Sequence, residues 1–248
     1  MQYIKGLDAF DGRNQTAVTL GKFDGLHRGH QKLLNRIMKY AQKEDCDSVV
    51  CAFDMDRDCL MTNEERRAFL EDKVDYLIEI PFTREMMEME AEKFIDEILH
   101  KKLHASHIVV GTDFNFGHEK RGNHQMLEKY AAKYGYTVDV VEKAYYKDRE
   151  ISSTYIREAL EKGEMELAKD LLGYPYFVSG EVLHGRHMGG RLLFPTTNLI
   201  PTTRKLLPPN GVYVSRTHLE DGRILGGMTN IGYKPTVGEK FRGVETYL

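Results

Sequence analysis

An apolar run, Ala17-Val18-Thr19-Leu20, passes directly into Gly21-Lys22-Phe23-Asp24-Gly25-Leu26-His27-Arg28-Gly29-His30. Helix-period apolar residues follow at Leu33, Leu34, Ile37, Met38 and Ala41. That order reads as strand, glycine-rich turn, helix. The glycines let the backbone approach a ligand and take left-handed conformations. The turn ends at a helix N-terminus, where free amide N–H groups attract anions. His27 and His30 flank Gly29 at the same point, and imidazoles there can donate hydrogen bonds to phosphate oxygens as charge develops. A lone histidine in a turn is more often simply solvated. The strand–turn–helix context favours the phosphate-binding reading.

Strand patterns recur at 16–20, 48–53, 75–80, 107–111 and 137–141, with helical patterns at 31–43, 64–72, 84–102 and 123–134. Residues 1–15 suit an edge strand and a turn. Alternation of this kind implies a mostly parallel sheet with helices on both faces. Ligands of such sheets bind beyond the carboxyl ends of the strands. A short helix is expected over Met165 to Leu172, and Gly173-Tyr174-Pro175 breaks the helical period. From Phe177 the pattern changes to short strands, 177–183, 212–218, 223–231 and 243–248, which predict a small all-β barrel. A chain of 248 residues, 41% hydrophobic and 29% charged, has room for both units. Its net charge of −3 argues against a general nucleic-acid binder. No apolar run approaches the roughly 18 residues of a membrane span, and no signal-peptide pattern opens the chain. Cys46, Cys51 and Cys59 form no C-x-x-C pair, so reduced thiols in the cytoplasm are expected rather than a disulfide framework or metal site.

Three further stretches can carry chemistry. Asp54, Asp56 and Asp58 follow a strand and read equally as a metal cluster or a solvated turn. Gly111-Thr112-Asp113-Phe114-Asn115-Phe116-Gly117 leaves another strand. Phe114 and Phe116 could stack on a planar ring, and Asp113 could hold a hydroxyl or ring N–H. Taken alone, phenylalanines near a strand end are more often core. In Ile151-Ser152-Ser153-Thr154-Tyr155-Ile156-Arg157, Ser153 or Thr154 can N-cap a helix running to Lys162. The same hydroxyls with Arg157 make a triphosphate clamp.

The string H-x-G-H resembles the phosphate-binding signature of nucleotidylyltransferases. The longer G-K-F-D-G-L-H-R-G-H resembles the first motif of the bacterial bifunctional riboflavin kinase/FAD synthetase family. G-x-D-F-x-F-G-x-x-x-x-G resembles that family's flavin-side motif, and I-S-S-T-x-I-R its second phosphate-binding element. The resemblance implies that Gly21, Lys22, Phe23, Asp24, Gly25 and Gly29, with Ser152, Ser153, Thr154 and Arg157, bind ATP. It gives His27 and His30 catalytic roles. Asp113, Phe114, Phe116, Gly117 and Arg121 would face the flavin. The segment from Leu60 to Arg67 also resembles the family, with a structural role only, and Met55-Asp56-Arg57 departs from it.

The resemblance continues through the β half. Gly180-Glu181-Val182-Leu183-His184-Gly185 resembles the opening strand and phosphate loop of riboflavin kinases. Phe194-Pro195-Thr196-Thr197-Asn198-Leu199 resembles their P-T-x-N motif. His184, Gly185, Thr196 and Asn198 would bind the kinase nucleotide, Thr196 and Asn198 would hold Mg²⁺, and Glu245 inherits the role of catalytic base. Asn230-Ile231-Gly232-Tyr233-Lys234-Pro235-Thr236 matches a further family string. Two departures affect the kinase. Leu193 stands where the family has glycine, next to a shifted Gly189-Gly190-Arg191. Family members also continue beyond the point matching Leu248. A truncated barrel, a terminal strand with an open edge and a weak kinase are therefore expected.

The expected architecture is α/β: a Rossmann-like parallel-sheet nucleotidylyltransferase domain over residues 1–173, then a small Greek-key-like barrel over 176–248. The implied reactions are transfer of AMP from ATP to FMN, giving FAD and pyrophosphate, and phosphorylation of riboflavin to FMN. Mg²⁺ is the implied cofactor and the partners are small molecules, with a homo-oligomer left open and neither nucleic acid nor membrane involved. The intact first-half motifs imply that residues 1–175 make FAD alone. Two alternatives stand beside this reading: an H-x-G-H transferase for another phosphate acceptor, and a flavin-binding regulator with a decayed kinase module.

Overall fold

In a computed structural model, residues 1–54, 58–182, 196–202, 204–236 and 239–248 are described. Expectations on Asp56, His184, Gly185 and the 189–194 loop lie outside them. The first half is built from β1 (Gln2–Lys5), β2 (Gln15–Gly21), α1 (Arg28–Lys43), β3 (Cys46–Asp54), α2 (Asn63–Leu70), β4 (Tyr76–Pro81) and α3 (Arg84–Glu88). There follow α4 (Ala91–Lys93), which runs into a π-helical stretch over Phe94–Lys102, then β5 (Ala105–Gly111) and a small hairpin of β6 (Asn115–Phe116) and β7 (Gly122–Asn123). Next come α5 (His124–Tyr134), β8 (Thr137–Val141), a second hairpin of β9 (Tyr145–Tyr146) and β10 (Arg149–Glu150), α6 (Ser153–Glu161) and α7 (Met165–Leu172).

Six strands pair in parallel in the order β1-β4-β3-β2-β5-β8. From β2 the chain advances one way through β3 and β4 and the other way through β5 and β8. The topological switch point thus lies between β2 and β5, where ligands of open α/β sheets bind. Successive strand residues point to opposite faces. Val18, Leu20, Val49 and Cys51 join one core with Phe94, Ile95, Leu99 and Leu127. Ala17, Val50 and Ala52 join another with Leu34 and Ile37 of α1 and Leu70 of α2. Burial on both faces explains why these strands read as continuous apolar runs rather than alternating ones.

Helix boundaries follow local chemistry. Thr62 and Glu65 form a reciprocal capping box at the start of α2. Asn123 caps α5, and left-handed Gly135 and Gly173 end α5 and α7. The single helix expected over 84–102 is instead interrupted at Met89 and Glu90. The Met89 carbonyl freed by the break accepts the His118 N–H at 2.7 Å. A Cβ on Gly117 would come within 2.7 Å of Ala91 Cα, so the glycine is what lets this loop dock on the break.

The second half holds β11 (Thr196–Leu199), β12 (Gly211–His218), β13 (Ile224–Thr236) and β14 (Glu239–Tyr247). They form an antiparallel sheet in the order β11-β14-β13-β12, which is a Greek-key order. Of the strand expected over 177–183, the described residues 177–182 show a bridge between Val182 and Leu199. The expected open edge at the last strand is corrected. β14 pairs with β13 on one side and with β11 on the other, so Glu245 sits on an interior strand. The long β11–β12 connection supplies the partner that strand-by-strand reading looked for beyond residue 248.

Candidate active site

The turn after β2 is tightly determined. Phe23 and Leu26 take positive φ of 47° and 38°, and both side chains are fully buried. Non-glycine residues hold such conformations only when their surroundings over-determine them. Gly25 has φ 78°, and a Cβ there would lie 3.0 Å from Leu60. Phe23, implied to bind ATP, packs its side chain in the core beneath the turn. Only its backbone is left to meet a ligand.

His27 is the N-cap of α1 and is buried; His30 lies one turn on. Their rings stack with centroids 3.7 Å apart, and Phe23 meets His30 edge-on at 5.2 Å. The Nδ1 atoms of both histidines are buried and have no hydrogen-bond partner among the described residues. Burial pushes His27 down to about 4 despite the neighbouring Asp24. Burial, then His27, then Arg66 hold His30 well below its ordinary value. Both rings are therefore neutral at pH 7. Unpartnered ring nitrogens at a helix N-terminus suit an incoming anion.

The third motif meets the first directly. Ser152, not Ser153 or Thr154, is the N-cap of α6, accepting the Tyr155 N–H at 3.2 Å. Ser153 Oγ donates to the Asp24 carbonyl at 3.1 Å. Arg157 pairs with the Asp24 carboxylate and donates to Asp58 O at 3.0 Å. Asp24 also accepts the Leu60 N–H at 2.7 Å. The Arg157 guanidinium implied as a phosphate fork is thus engaged in tying the two motifs together.

A cleft of about 160 Å³ opens beside them, lined by Lys22, Asp24, Asp54, Asp58, Arg66 and Arg204 among others. Arg66 was missed by sequence reasoning. It is 4% exposed, its Nε has no partner among the described residues, and its nearest carboxylate oxygen, on Glu79, is 3.5 Å away. Glu79 is held in turn by the Tyr3 hydroxyl at 2.6 Å. The legible signal was an arginine one residue after a capping box, where the first helical turn faces the strand ends. Asp54 accepts from Arg204 at 3.2 Å, and no three-residue metal cluster occurs among the described residues.

The flavin-side motif leaves β5, the direct neighbour of β2. Phe114 and Phe116 stack at 5.5 Å, but Phe116 is buried against Phe94 at 5.3 Å. The expectation that both rings face a ligand is corrected: Phe116 is core and Phe114, partly buried, sits above it. Asp113 is exposed and pairs with Lys143 at 3.1 Å. Arg121 pairs with Glu119 at 2.5 Å and lies 3.9 Å from Glu90.

In the second sheet, Asn198 on β11, Glu245 on β14 and Asn230 on β13 stand opposite one another in a single cross-strand row. Side chains in such a row share a face. Val244 and Thr246 face the other way and are buried, Thr246 bonding Thr229 at 2.8 Å. Asn230 was missed as a site residue, although its string was noticed. The next row on the Glu245 face runs Val214, Met228, Tyr247, all exposed.

Comparison with known proteins is consistent with this arrangement. The FAD synthetase family model matches residues 10–155 and the riboflavin kinase model residues 172–248. A Haemophilus influenzae bifunctional riboflavin kinase/FMN adenylyltransferase is 35% identical across 100% of this chain and 84% of the relative. The Escherichia coli K12 protein of the same name is 32% identical across 100% of this chain and 83% of its own length. A crystal structure from Streptococcus pneumoniae, described as a macrolide-efflux protein, superposes with a TM-score of 0.84 at 28% identity, covering 99% of this chain and 83% of that one. Among the described residues, no helix is long and apolar enough to cross a membrane.

Proposed function

The chain belongs to the bifunctional riboflavin kinase/FMN adenylyltransferase family, and from that premise we propose which residues carry each reaction. Residues 1–173 transfer AMP from ATP to FMN, and residues 176–248 phosphorylate riboflavin. The observation that carries the first assignment is the stacked, neutral pair His27 and His30, both with buried Nδ1 atoms, on the turn that Ser153 of α6 bonds at Asp24.

Adenylyl transfer needs little covalent chemistry, because the FMN phosphate is already a nucleophile at neutral pH. The protein must align it with the α-phosphorus of ATP and stabilise charge on the departing pyrophosphate. His27 and His30 are placed to hydrogen-bond phosphate oxygens. The backbone around Gly25 and Gly29 allows close approach, Ser152 and Thr154 offer short donors while Ser153 holds the Asp24 carbonyl, and Lys22 and Arg66 add positive charge. Phe114, with Asp113 beside it, offers a flavin ring a partly exposed aromatic face.

The ribityl hydroxyl is a poor nucleophile and benefits from a general base, the role given to Glu245. Asn198 and Asn230 flank it, and the apolar row Val214, Met228, Tyr247 offers a surface on which a flavin ring can lie. Mg²⁺ fits this donor set, since amide and carboxylate oxygens with substrate phosphates are its usual ligands. Asn198, with Thr196, would hold it, and it would neutralise phosphate charge. ATP and FMN as substrates, with three free cysteines, suit the cytoplasm.

Two substitutions in the full chain test the assignment. Removing one donor to developing charge lowers rate by roughly 10²–10³, so His30→Ala should lower FAD formation that far while riboflavin phosphorylation persists. Glu245→Gln should lower FMN formation by about 10²–10⁴ and leave FMN-to-FAD conversion intact. Chromatography of the flavins from each supply, riboflavin or FMN, reads both. Loss of the same activity in both variants would sink the division of labour.

A further inference from the structure

The cleft of the first half has a wall from the second. Thr202 and Arg204, on the segment between β11 and β12, line it. The backbone there lies against Cys59. The Cys59 N–H donates to Arg204 O at 2.7 Å, and the Leu206 N–H donates to Cys59 O at 3.0 Å. Between them Lys205 buries its ammonium. Its side chain is 2% exposed, and Nζ donates to Leu60 O at 2.8 Å and to Glu65 Oε2 at 2.6 Å. Glu65 also accepts the Ser179 N–H at 2.9 Å and the Thr62 N–H at 3.0 Å.

Leu60, held through its carbonyl by Lys205, donates its own N–H to Asp24. Asp24 in turn binds Arg157, whose guanidinium reaches back to Asp58 O. The 58–60 backbone is therefore clamped by the second half on one side and holds the first and third motifs on the other. A buried ion pair is a poor adhesive, because desolvation offsets the attraction and an apolar pair would serve as well. What an ammonium adds is a directed bond to one carbonyl.

We propose that Lys205 is a positioning residue for adenylyl transfer, fixing the 58–60 segment and through it Asp24 and Arg157, so that the second half completes the ATP cleft of the first. This rests on the reading of the His27 and His30 turn, with the cleft beside it, as the ATP site. A consequence is that residues 1–175 alone are a poor FAD synthetase, against the expectation from motifs.

The test uses the full chain. Lys205→Met leaves Glu65 buried without its cation and is open to misfolding. The decisive variant is the neutral pair Glu65→Gln with Lys205→Met, compared with His30→Ala. The double variant should melt near the parent and keep riboflavin phosphorylation. Its kcat/KM for ATP in FAD synthesis should fall tenfold or more, since a displacement of about 1 Å costs on the order of 10²-fold. Amide hydrogen exchange at 58–60, measured well below the melting midpoint, should quicken while β2 and β5 stay protected. That measurement decides even for a variant that melts early. Unchanged exchange at 58–60, or kcat/KM within twofold of the parent, overturns the proposal. If His30→Ala is inactive beside a fully active double variant, the positioning role alone fails. If His30→Ala is fully active, the ATP-site reading fails with it.

Discussion

The two sheets solve the problem of building a site differently. The parallel sheet is covered on both faces, and its candidate site lies beyond the carboxyl end of β2, the strand at which the order reverses. Its histidines are neutral, with buried Nδ1 atoms, and sit on a strained turn. The antiparallel sheet carries its candidate base on a face where Val214 is 97% exposed and Val212, Met228 and Tyr247 are also open. Its other face is partly polar, with buried Thr229 and Thr246 and half-buried Ser215 linked by hydroxyl bonds. The first site is thus pre-organised by packing, the second by strand register. Damage to packing should therefore strike the first half hardest, and damage to register the second.

The largest effect sharpening that comparison is in the core under α1. Ile37 is fully buried, and Ile→Ala in such a place typically costs about 2–5 kcal/mol. Ile37→Ala should lower the urea midpoint and FAD synthesis together.

Acid should act next. Unfolded histidine titrates near 6.5 and His27 in the fold near 4, so between those values the unfolded chain binds more protons. Stability rises with pH across that window and is lost as pH falls through it. At about 1.4 kcal/mol per pKa unit, His27 accounts for up to roughly 3 kcal/mol, with His30 acting in the same direction. Urea midpoints measured between about pH 7 and about pH 4.5 should fall, and His27→Gln should flatten the slope. A parent midpoint constant over that range would mean the histidines are not buried neutral.

The smallest effect is expected on the open face. Val214→Thr should change stability by no more than about 0.5 kcal/mol. A loss approaching that of Ile37→Ala would mean the face is covered in solution, and the contrast between the two sheets would vanish.

Much of this was legible in residue order. The strand–glycine–helix turn, the alternation from 16 to 141 and the change of pattern after Gly173 all reappear in the fold, because each depends on local periodicity and on backbone freedom at glycine. The motifs told which loops matter but not which side chains point outward. Phe116 is core, Phe23 lies under the turn, and Arg157 is bound to Asp24, since neighbouring elements fix those directions.

Sequence by itself determined the two architectures, the position of the glycine-rich strand–helix turn and the family, because hydrophobic period and short motifs are properties of a few adjacent residues. Tertiary structure alone decided three things. It paired β14 on both sides through β11, whose Asn198 stands opposite Glu245 from 47 residues earlier. It put Arg66 at the cleft, and it brought Lys205 to Leu60 and Glu65 across 145 and 140 residues of chain. Contacts of that separation leave no periodic trace, because each partner satisfies its own local pattern and the pairing exists only once the chain has closed on itself.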